Sequence, residues 1–333
     1  MTIKDIARLS GCGVATVSRV LNNHPDVSDE TRRRVMAVVE EVGFQPNNNA
    51  KHLKQQAGTS IAIVVKGTQN MLFADLVEKI QTKLRSSGRD AAVYYLDEEA
   101  NEVAHAIRLC RERKPLGVIF LGGDLEYFRA GFEKIAVPCV LLTNTAAELG
   151  FANLSSLTTD DRAAAARAVD HLLDQGHRRI GILGGNWSCS QIGYSRIQGC
   201  WDSFRRRGLP FDEGQCEPCR YSMADGYAAA RRLLDRRPDL TAIFAVSDVM
   251  AMGVIRALND LGKRVPQDIS VVGYDGISMA GYSVPRLTTI RQDTAQLAER
   301  GVELLLNNIQ NQTPAQHAFV PFRLLEGESV ARL

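Results

Sequence analysis

The stretch IKDIARLSGCGVATVSRVLNN, residues 3–23, contains two short helical patterns separated by a glycine-containing turn. Apolar residues recur every three to four positions on both sides of the turn, which is the spacing of one helix face. Gly11 and Gly13 interrupt the pattern, so we predict one helix before the turn and a second from Val14 to Leu21. The positions predicted to face a shared core are Ile3, Ile6, Ala7, Leu9, Val17, Val20 and Leu21.

A third helix is predicted to complete a small domain. Ser28 can cap it, and Asp29 and Glu30 follow in the first turn, where acidic residues favour the helix dipole. Gly43 ends it, and the predicted core face consists of Val35, Val38, Val39 and Val42. Each helix is too short to be stable alone, so the three must share one core. Such a head can read a DNA groove or bind another protein, and the pattern leaves both functions open.

After this head the composition changes twice. Residues 44–59 have linker composition, with Pro46 followed by three asparagines, and a short helix over 48–54 could form there conditionally. From residue 60, apolar strand patterns alternate with amphipathic helices. The predicted strands are Ile61–Val65, Ala91–Tyr95, Gly117–Leu121, Cys139–Leu142, Ile180–Leu183, Ala242–Val246 and Ile269–Gly273, and the predicted helices are Ala74–Arg85, Asn101–Arg111, Asp161–Gln175, Asp225–Asp235 and Val249–Leu261.

This alternation predicts parallel sheets covered by helices on both faces. The sequence contains more of these strand–helix units than a single sheet usually has. We therefore predict two α/β lobes, each a doubly wound parallel sheet, with a ligand cleft at the carboxyl ends of the strands.

Composition and motif spacing argue against several classes of protein. No apolar run reaches the about 18 residues of a membrane span, and the start does not look like a signal peptide, so we expect a cytoplasmic protein. The net charge of +2 neither requires nor excludes nucleic-acid binding. Cys216 and Cys219 form a CxxC pair without a second ligand pair, so we expect no metal site. We find no catalytic set and no dinucleotide or phosphate loop, and expect neither a cofactor nor enzyme activity.

Several segments, taken in order, resemble one known family, the lactose-repressor family of bacterial transcription regulators. In the head these are IKDIARLSGCGVATVSRVLNN, VSDETRRRV and GFQPNNNAKHL. In the core they are DHLLDQGHRRIGIL, SRIQG, LTAIFAVSDVMAMGV, VPQDISVVGYD and PRLTTIRQD. The order of these segments taken together is specific to the family, and the resemblance covers essentially the whole chain. It implies a sequence-specific repressor of carbohydrate-utilisation genes whose affinity for operator DNA is controlled by a small sugar or sugar derivative.

The resemblance implies a helix-turn-helix head over 1–45, a hinge over 46–59 and a two-lobed core over 60–333, similar to type I periplasmic binding proteins. It places the N-lobe at about 60–158 and 288–318, and the C-lobe at about 159–287 and 319–333. It also implies a homodimer on a near-palindromic operator, and no coiled-coil tail suggests a tetramer. The alternative from another class is a two-lobed solute-binding protein, which would leave the head unexplained. An enzyme with a DNA tether would need a catalytic set that we do not find.

By the same resemblance, Val14, Ala15 and Arg19 occupy base-reading positions. Leu53 of the hinge would wedge a base step in the minor groove. The remaining positions implied to contact DNA are Thr2, Thr16, Ser18, Asn22, Ser28, Thr31, Arg32, Asn47 and Ala50. Gly13 stands where the family usually has Ser or Thr, which keeps a tolerable helix cap and removes one hydroxyl.

In the core, the resemblance implies a mixed polar and aromatic ligand site. Its positions are Phe73, Thr143, Arg196, Tyr221, Ser247, Asp275 and Gln292. Lys66 replaces a common acidic residue, so it could favour an anionic ligand, or it could be a solvated or lobe-bridging lysine. We take Asp248 as a cap of the following helix. Trp187, in a loop at a strand end, is a further ligand candidate, whereas Trp201 is assigned to helix packing.

Overall fold

The computed structural model describes residues 3–21, 26–43, 60–68, 70–184 and 191–333. Its contacts divide the chain into two units, Met1–Ala57 and Gly58–Leu333, which we treat separately. The predicted hinge over 46–59 lies outside the described residues. Among the described residues, no helix combines the length and the apolar character that crossing a membrane requires.

The first unit contains the three predicted helices, α1 (Ile3–Ser10), α2 (Val14–Leu21) and α3 (Asp29–Glu41). Its buried apolar residues are Ile6, Ala7, Val17, Val20, Val35 and Val39, with Leu21, Val38 and Val42 packed partly buried against them. The prediction for Leu9 is wrong, because this side chain is exposed. Ser10 is buried in its place, and its hydroxyl donates to the Ile6 carbonyl at 2.7 Å.

The second unit contains two six-stranded sheets. The first sheet has the order β11-β5-β4-β3-β1-β2 and is parallel throughout. Its strands are β1 (Ile61–Lys66), β2 (Ala91–Leu96), β3 (Gly117–Leu121), β4 (Cys139–Leu142), β5 (Leu154–Thr159) and β11 (His317–Val320). β1 and β3 are buried apolar runs because each has neighbours on both sides and helices on both faces.

The second sheet has the order β12-β10-β9-β8-β6-β7, and only β12 runs antiparallel to its neighbour. Its strands are β6 (Ile180–Leu183), β7 (Cys216–Glu217), β8 (Ala242–Ala245), β9 (Ser270–Asp275), β10 (Thr288–Gln292) and β12 (Phe322–Leu325). The helices of the core are α4 (Met71–Ser86), α5 (Glu102–Glu112), α6 (Leu125–Gly131), α7 (Asp161–Asp174), α8 (Gln191–Arg206), α9 (Met223–Arg236), α10 (Asp248–Asp260) and α11 (Thr294–Asn311). The predicted fold class, a helical head with two doubly wound lobes, is confirmed.

The chain crosses between the two sheets three times, after β5, after β10 and after β11. The Thr159 hydroxyl at the end of β5 donates to the Gln292 side chain at the end of β10 over 3.0 Å, which ties two crossovers together. The lobe boundary expected at residue 288 differs from the structure, since Thr288–Gln292 pairs with β9 and β12 in the second sheet. The boundary expected at 319 also differs, because β11 extends to Val320 beside β5.

Candidate DNA-reading surface and ligand cleft

The two faces of α2 differ sharply in exposure. Val17 and Val20 are buried in the core of the head, whereas Val14 is 43% exposed and Ala15 and Arg19 are exposed. The guanidinium of Arg19 lies 3.6 Å from the Asp26 carboxylate, and both side chains are at least half exposed. Because an exposed ion pair contributes little free energy, Arg19 is free to exchange this partner for another.

The turn before α2 depends on glycine at one position. Gly11 has a φ of +66°, a left-handed conformation in which side chains are strained. Gly13 lacks this requirement, and its carbonyl accepts the first helical hydrogen bond, from the Val17 N–H at 3.0 Å. Among the described residues, a Cβ at position 13 would meet only the Thr16 hydroxyl, at 3.8 Å. Gly13 is therefore the N-cap of α2, with room for a larger cap.

Four of the other predicted DNA contacts are less exposed than Val14, Ala15 and Arg19. Thr16, Ser18, Thr31 and Arg32 are half-buried. Ser28 is exposed and caps α3, because its hydroxyl oxygen accepts from the Thr31 N–H and its hydroxyl donates to the Thr31 side chain. The predicted positions Thr2, Asn22, Asn47, Ala50 and Leu53 lie outside the described residues. The DNA-binding assignments all remain predictions.

A cleft of about 1060 Å³ separates the two lobes of the core. It lies where parallel strands end and the strand order reverses, between β1 and β3 in one sheet and between β6 and β8 in the other. Such switch points are where α/β sheets bind ligands, because the outgoing loops diverge there. Five predicted ligand residues line the cleft, namely Phe73, Thr143, Arg196, Tyr221 and Asp275.

Asp275 ends β9 with its carboxylate in the cleft. One oxygen accepts from the Gln292 side-chain amide and the other from the Ser247 hydroxyl, each at 2.9 Å. Burial raises the pKa of Asp275 to about 6, although Arg196 and the two hydrogen bonds act in the opposite direction. Ser247 and Gln292 are absent from the described lining of the cleft. The structure places them behind Asp275, where they orient its carboxylate.

Asp248 was expected to cap α10, and that expectation is wrong. Ser247 holds the cap position, and Asp248 is fully buried under the turn that follows β9. Its carboxylate accepts from the Ile277 N–H at 2.9 Å and from the Thr289 hydroxyl at 2.6 Å. Burial raises the pKa of Asp248 well above its ordinary value. Asp248 therefore fixes the turn that presents Asp275, a role that its position before a helix did not indicate.

Arg196 is buried on α8 with its guanidinium held from three sides. Nε donates to Asp161 at 2.7 Å, Nη1 donates to the Val246 carbonyl at 2.6 Å, and the ring of Tyr274 lies 3.7 Å away. The Tyr274 hydroxyl donates to the same oxygen of Asp161 at 2.8 Å. Burial lowers the pKa of Arg196, but the negative charge of Asp161 and the smaller contributions of Tyr274, Tyr221 and Asp275 together outweigh burial and hold that pKa above its ordinary value.

Two buried hydroxyls in the cleft have no hydrogen-bond partner among the described residues, those of Thr143 and Tyr221. Burial raises the pKa of Tyr221 to about 12, so its hydroxyl remains a donor at neutral pH. Thr143 has a φ of +68° and Asp275 a φ of +115°, conformations that are rare for residues with a side chain. Buried polar groups without partners and strained backbone are both typical of ligand sites.

Lys66 lines the cleft and is neither solvated nor lobe-bridging, and the suggestion that it favours an anionic ligand stays a prediction. Its ammonium lies 2.7 Å from the Glu102 carboxylate in the same lobe, with the two side chains 11% and 0% exposed. The other oxygen of Glu102 accepts from the Asp124 N–H at 2.6 Å, and the ring of Tyr127 lies 4.7 Å from the ammonium. Burial raises the pKa of Glu102, and Lys66 opposes this by favouring its ionised form.

Arg220 bridges the two lobes at the edge of the cleft. Its guanidinium lies 3.2 Å from Asp97 and 3.5 Å from Glu98, which follow β2 in the first lobe. The Tyr221 N–H also hydrogen-bonds to the Glu98 carboxyl. Sequence reasoning missed this bridge, because the partners are far apart in the chain and each is an ordinary surface residue type.

Among the described residues, no tryptophan lines this cleft. Trp187 lies outside the described residues. Trp201 contacts Phe211 edge-to-face beside a separate shallow cavity on the second lobe, and it is 42% exposed.

Known families match both units of the chain. The family of bacterial regulatory proteins, lacI family, matches residues 2–47, and the periplasmic binding protein-like domain matches residues 169–330. The regulator MalR of Clostridium butyricum is 36% identical, over 99% of each chain. The ribose operon repressor of Haemophilus influenzae is 30% identical, over 93% of this chain and 92% of that one.

Solved structures agree with these matches. A complex of the transcriptional regulator CelR with cellobiose has a TM-score of 0.73 at 27% identity and covers 99% of both chains. The lac repressor dimer bound to operator and the anti-inducer ONPF has a TM-score of 0.71 at 25% identity, also over 99% of both chains. The similarity therefore extends over the head and the core together.

Proposed function

Since this chain belongs to the lacI family of bacterial regulatory proteins, we propose that it represses carbohydrate-utilisation genes under the control of a small sugar or sugar derivative. Its partners are near-palindromic double-stranded operator DNA, the effector and a second copy of the chain. It acts in the cytoplasm, where the chromosome lies. Its effect comes from binding and not from catalysis.

The observation that carries the proposal is the exposed face of α2. An α-helix fits the major groove of B-DNA, and the side chains near its N-terminus meet the base edges. Arg19 can donate two hydrogen bonds to one guanine, which is worth about 1–3 kcal/mol of discrimination. Val14 and Ala15 offer apolar contact for thymine methyl groups. Hydroxyls on the same head can contact phosphates, which fix the register without reading sequence.

The polar base of the cleft supports a hydroxyl-rich effector. Asp275 offers carboxylate oxygens, and the hydroxyls of Thr143 and Tyr221 have unused hydrogen-bonding capacity. Phe73 adds an apolar wall, packed so closely on Gly122 that a Cβ there would lie 3.1 Å from its ring. The names of the relatives point the same way, since one is a ribose operon repressor and another structure contains cellobiose.

Control by an effector requires that the two lobes can take two arrangements, and that the affinity of the protein for DNA differs between them. Three chain crossings join the lobes, so a ligand held between them can stabilise one arrangement over another. The effector can change operator affinity only by as much as its own affinity differs between the two arrangements.

The test is operator binding by the full-length protein. Fluorescence anisotropy would be measured on DNA from the promoter of the neighbouring genes, at several salt concentrations and with a panel of saccharides. We expect specific, salt-dependent binding that one saccharide changes by at least about fivefold. Absence of specific binding with every saccharide and without any would refute the proposal and favour a solute-binding role.

Arg19→Ala tests the assignment of the reading helix. We expect the preference for operator over unrelated DNA to fall by at least about tenfold, because the guanine contact is lost while phosphate contacts remain. Arg33→Ala is the matched control, since it removes an exposed positive charge of the same head from α3. It should weaken binding to both DNAs alike. Equal loss of preference in both variants would argue against a reading role for Arg19.

A further inference from the structure

We infer that Arg220, Asp97 and Glu98 form a latch that holds the two lobes together at the mouth of the cleft. Among the described residues of the core, no other ion pair joins the two lobes. The contacts of the latch lie within the chain, so it acts whatever ligand the cleft takes. Such a latch adds to the proposed function a control on how the cleft closes.

The latch lies at the sheet edges that are farthest from the chain crossings. Asp97 directly follows β2, the edge strand of the first sheet, and Arg220 lies three residues after β7, the edge strand of the second sheet. The three crossings leave from β5, β10 and β11, on the opposite side of both sheets. The lobes are thus joined by the chain itself on one side and by these side chains on the other.

This position makes the latch sensitive to small rotations of the lobes. Four strand spacings separate β5 from β2, and four separate β10 from β7. At about 4.8 Å for each spacing, each sheet is a lever of roughly 19 Å from its crossing to the latch. A rotation of about 10° about the crossings would move the latch partners apart by roughly 3 Å, which is enough to break an ion pair.

The contacts of the latch involve two successive carboxylates. The Arg220 guanidinium donates to the two oxygens of Asp97 at 3.2 and 3.4 Å and lies 3.5 Å from the Glu98 carboxylate. The Tyr221 N–H also donates to the Glu98 carboxyl. Asp97 is held in its own turn by the Glu99 N–H, at 2.9 Å. A guanidinium and a backbone N–H of the second lobe therefore bind one short turn of the first lobe.

The latch is weak enough to open. The side chains of Arg220, Asp97 and Glu98 are 49%, 66% and 36% exposed. Exposed ion pairs of this kind change an equilibrium by no more than about fivefold, because water already solvates the separated charges. The latch therefore biases the arrangement of the lobes without locking it, and salt should weaken it.

The latch also bears on the surface that meets the ligand. Arg220, Asp97 and Glu98 all line the cleft, and Arg220 directly precedes Tyr221, whose buried hydroxyl has no partner among the described residues. Closing the latch fixes the separation between Tyr221 on the second lobe and Phe73 on the first. Opening it should widen the cleft.

Pulsed electron spin resonance on the full-length protein, without ligand or DNA, would measure the separation of the lobes. Spin labels would be attached to ketone-bearing amino acids at Glu112 and Asp235, which are exposed helix residues of the first and the second lobe. This chemistry leaves the native cysteines unchanged, and an excess of unlabelled chain removes distances between subunits. The unaltered protein should show mainly the shorter of two separations.

Arg220→Gln removes the cation of the latch. We expect the ratio of longer to shorter separations to rise about threefold to fivefold, because both ion pairs are lost. The two separations should differ by roughly 3 Å or more. Arg220→Glu should raise the ratio further, since it places a like charge beside Asp97 and Glu98, whereas Arg220→Lys should stay close to the unaltered ratio. Unchanged distance distributions in both Arg220→Gln and Arg220→Glu would overturn the inference.

Arg264→Gln is the matched control, because Arg264 forms an exposed ion pair with Asp268 inside the second lobe. It should leave the distance distribution unchanged. Raising the salt concentration from about 0.1 M to about 1 M shortens the Debye length from about 10 Å to about 3 Å, and should shift the unaltered protein towards the longer separation. The same change should have little effect on Arg220→Gln. An equal response to salt in both proteins, or an equal effect of Arg264→Gln, would show that Arg220 is not a latch.

Discussion

At the scale of single residues, Asp275 decides how the cleft responds to pH. Its pKa is raised by burial to about 6, so it is mostly ionised at pH 7 and mostly protonated at pH 5. Ligand hydroxyls donate more strongly to a carboxylate than to a carboxylic acid. The affinity for a hydroxyl-rich effector should therefore be highest well above pH 6 and should fall as the pH drops through that value. Asp161, Arg196, Tyr221, Asp248 and Tyr274 are ionisable groups that also act on this site or its supporting turn.

This pH dependence can be measured by calorimetry with the best neutral saccharide between pH 5 and pH 8. We expect the affinity of the unaltered protein to fall by up to roughly tenfold between pH 7 and pH 5. Asp275→Asn should bind more weakly at pH 7 and show a flat profile over the same range. A variant with the profile of the unaltered protein would mean that another group titrates.

The residue types in the sequence predicted well which side chains line the cleft. They predicted less well what each of these side chains does there. Phe73, Arg196 and Asp275 lie on its wall as expected. Ser247 and Lys66 have different roles because their partners are far away in the chain. Ser247 donates to Asp275, and Lys66 pairs with Glu102 from the next strand–helix unit. Periodicity reports which face of an element is buried, but it does not identify a distant polar partner.

At the scale of elements, α2 begins at Gly13, a glycine N-cap that a serine can replace with a gain in stability. Gly13 has no positive φ, and within the described part of the chain a Cβ there would meet only Thr16, at an ordinary distance. A serine at this position can accept from the N–H groups of the first turn. Gly13→Ser should therefore raise the free energy of unfolding of the head by a few tenths of a kcal/mol, as serine caps do relative to glycine.

Thermal and urea unfolding, followed by circular dichroism, would measure the change in Gly13→Ser. Gly11→Ser is the control, because Gly11 has a φ of +66° and should lose stability on the same substitution. If both variants are destabilised to the same degree, Gly13 is not a replaceable cap.

Strands and helices with a clear pattern of apolar residues were predictable from the sequence. The edge strands β11 and β12 of the two sheets were not. The apolar runs of β1 and β3 and the helices between them were recognised because parallel central strands are buried on both faces. β11 and β12 are short edge strands with mixed burial, so their sequences carry little signal. β10 was assigned to the wrong lobe because only its hydrogen-bonded neighbours reveal which sheet it joins.

At the scale of the whole molecule, operator binding and assembly should be linked. Each head reads one half-site, so a near-palindromic operator needs two copies related by a two-fold axis. The segment from Met279 to Val284 carries large exposed apolar side chains, with Tyr282 86% and Val284 91% exposed. Exposed apolar clusters of this kind mark protein interfaces more often than plain surface. We therefore place part of the dimer contact on this segment of the second lobe.

Tyr282→Asp puts a charge into the proposed contact, where burial without a partner is unfavourable. Sedimentation at micromolar concentration should show a dimer for the unaltered protein and mainly monomer for the variant. Binding to a complete operator should weaken by roughly tenfold or more, because the second head no longer benefits from the first. Binding to an isolated half-site should stay the same. Phe319→Asp, which alters an exposed aromatic residue on β11, should leave the mass unchanged. A Tyr282→Asp protein that remains dimeric would show that the chain associates through a different surface.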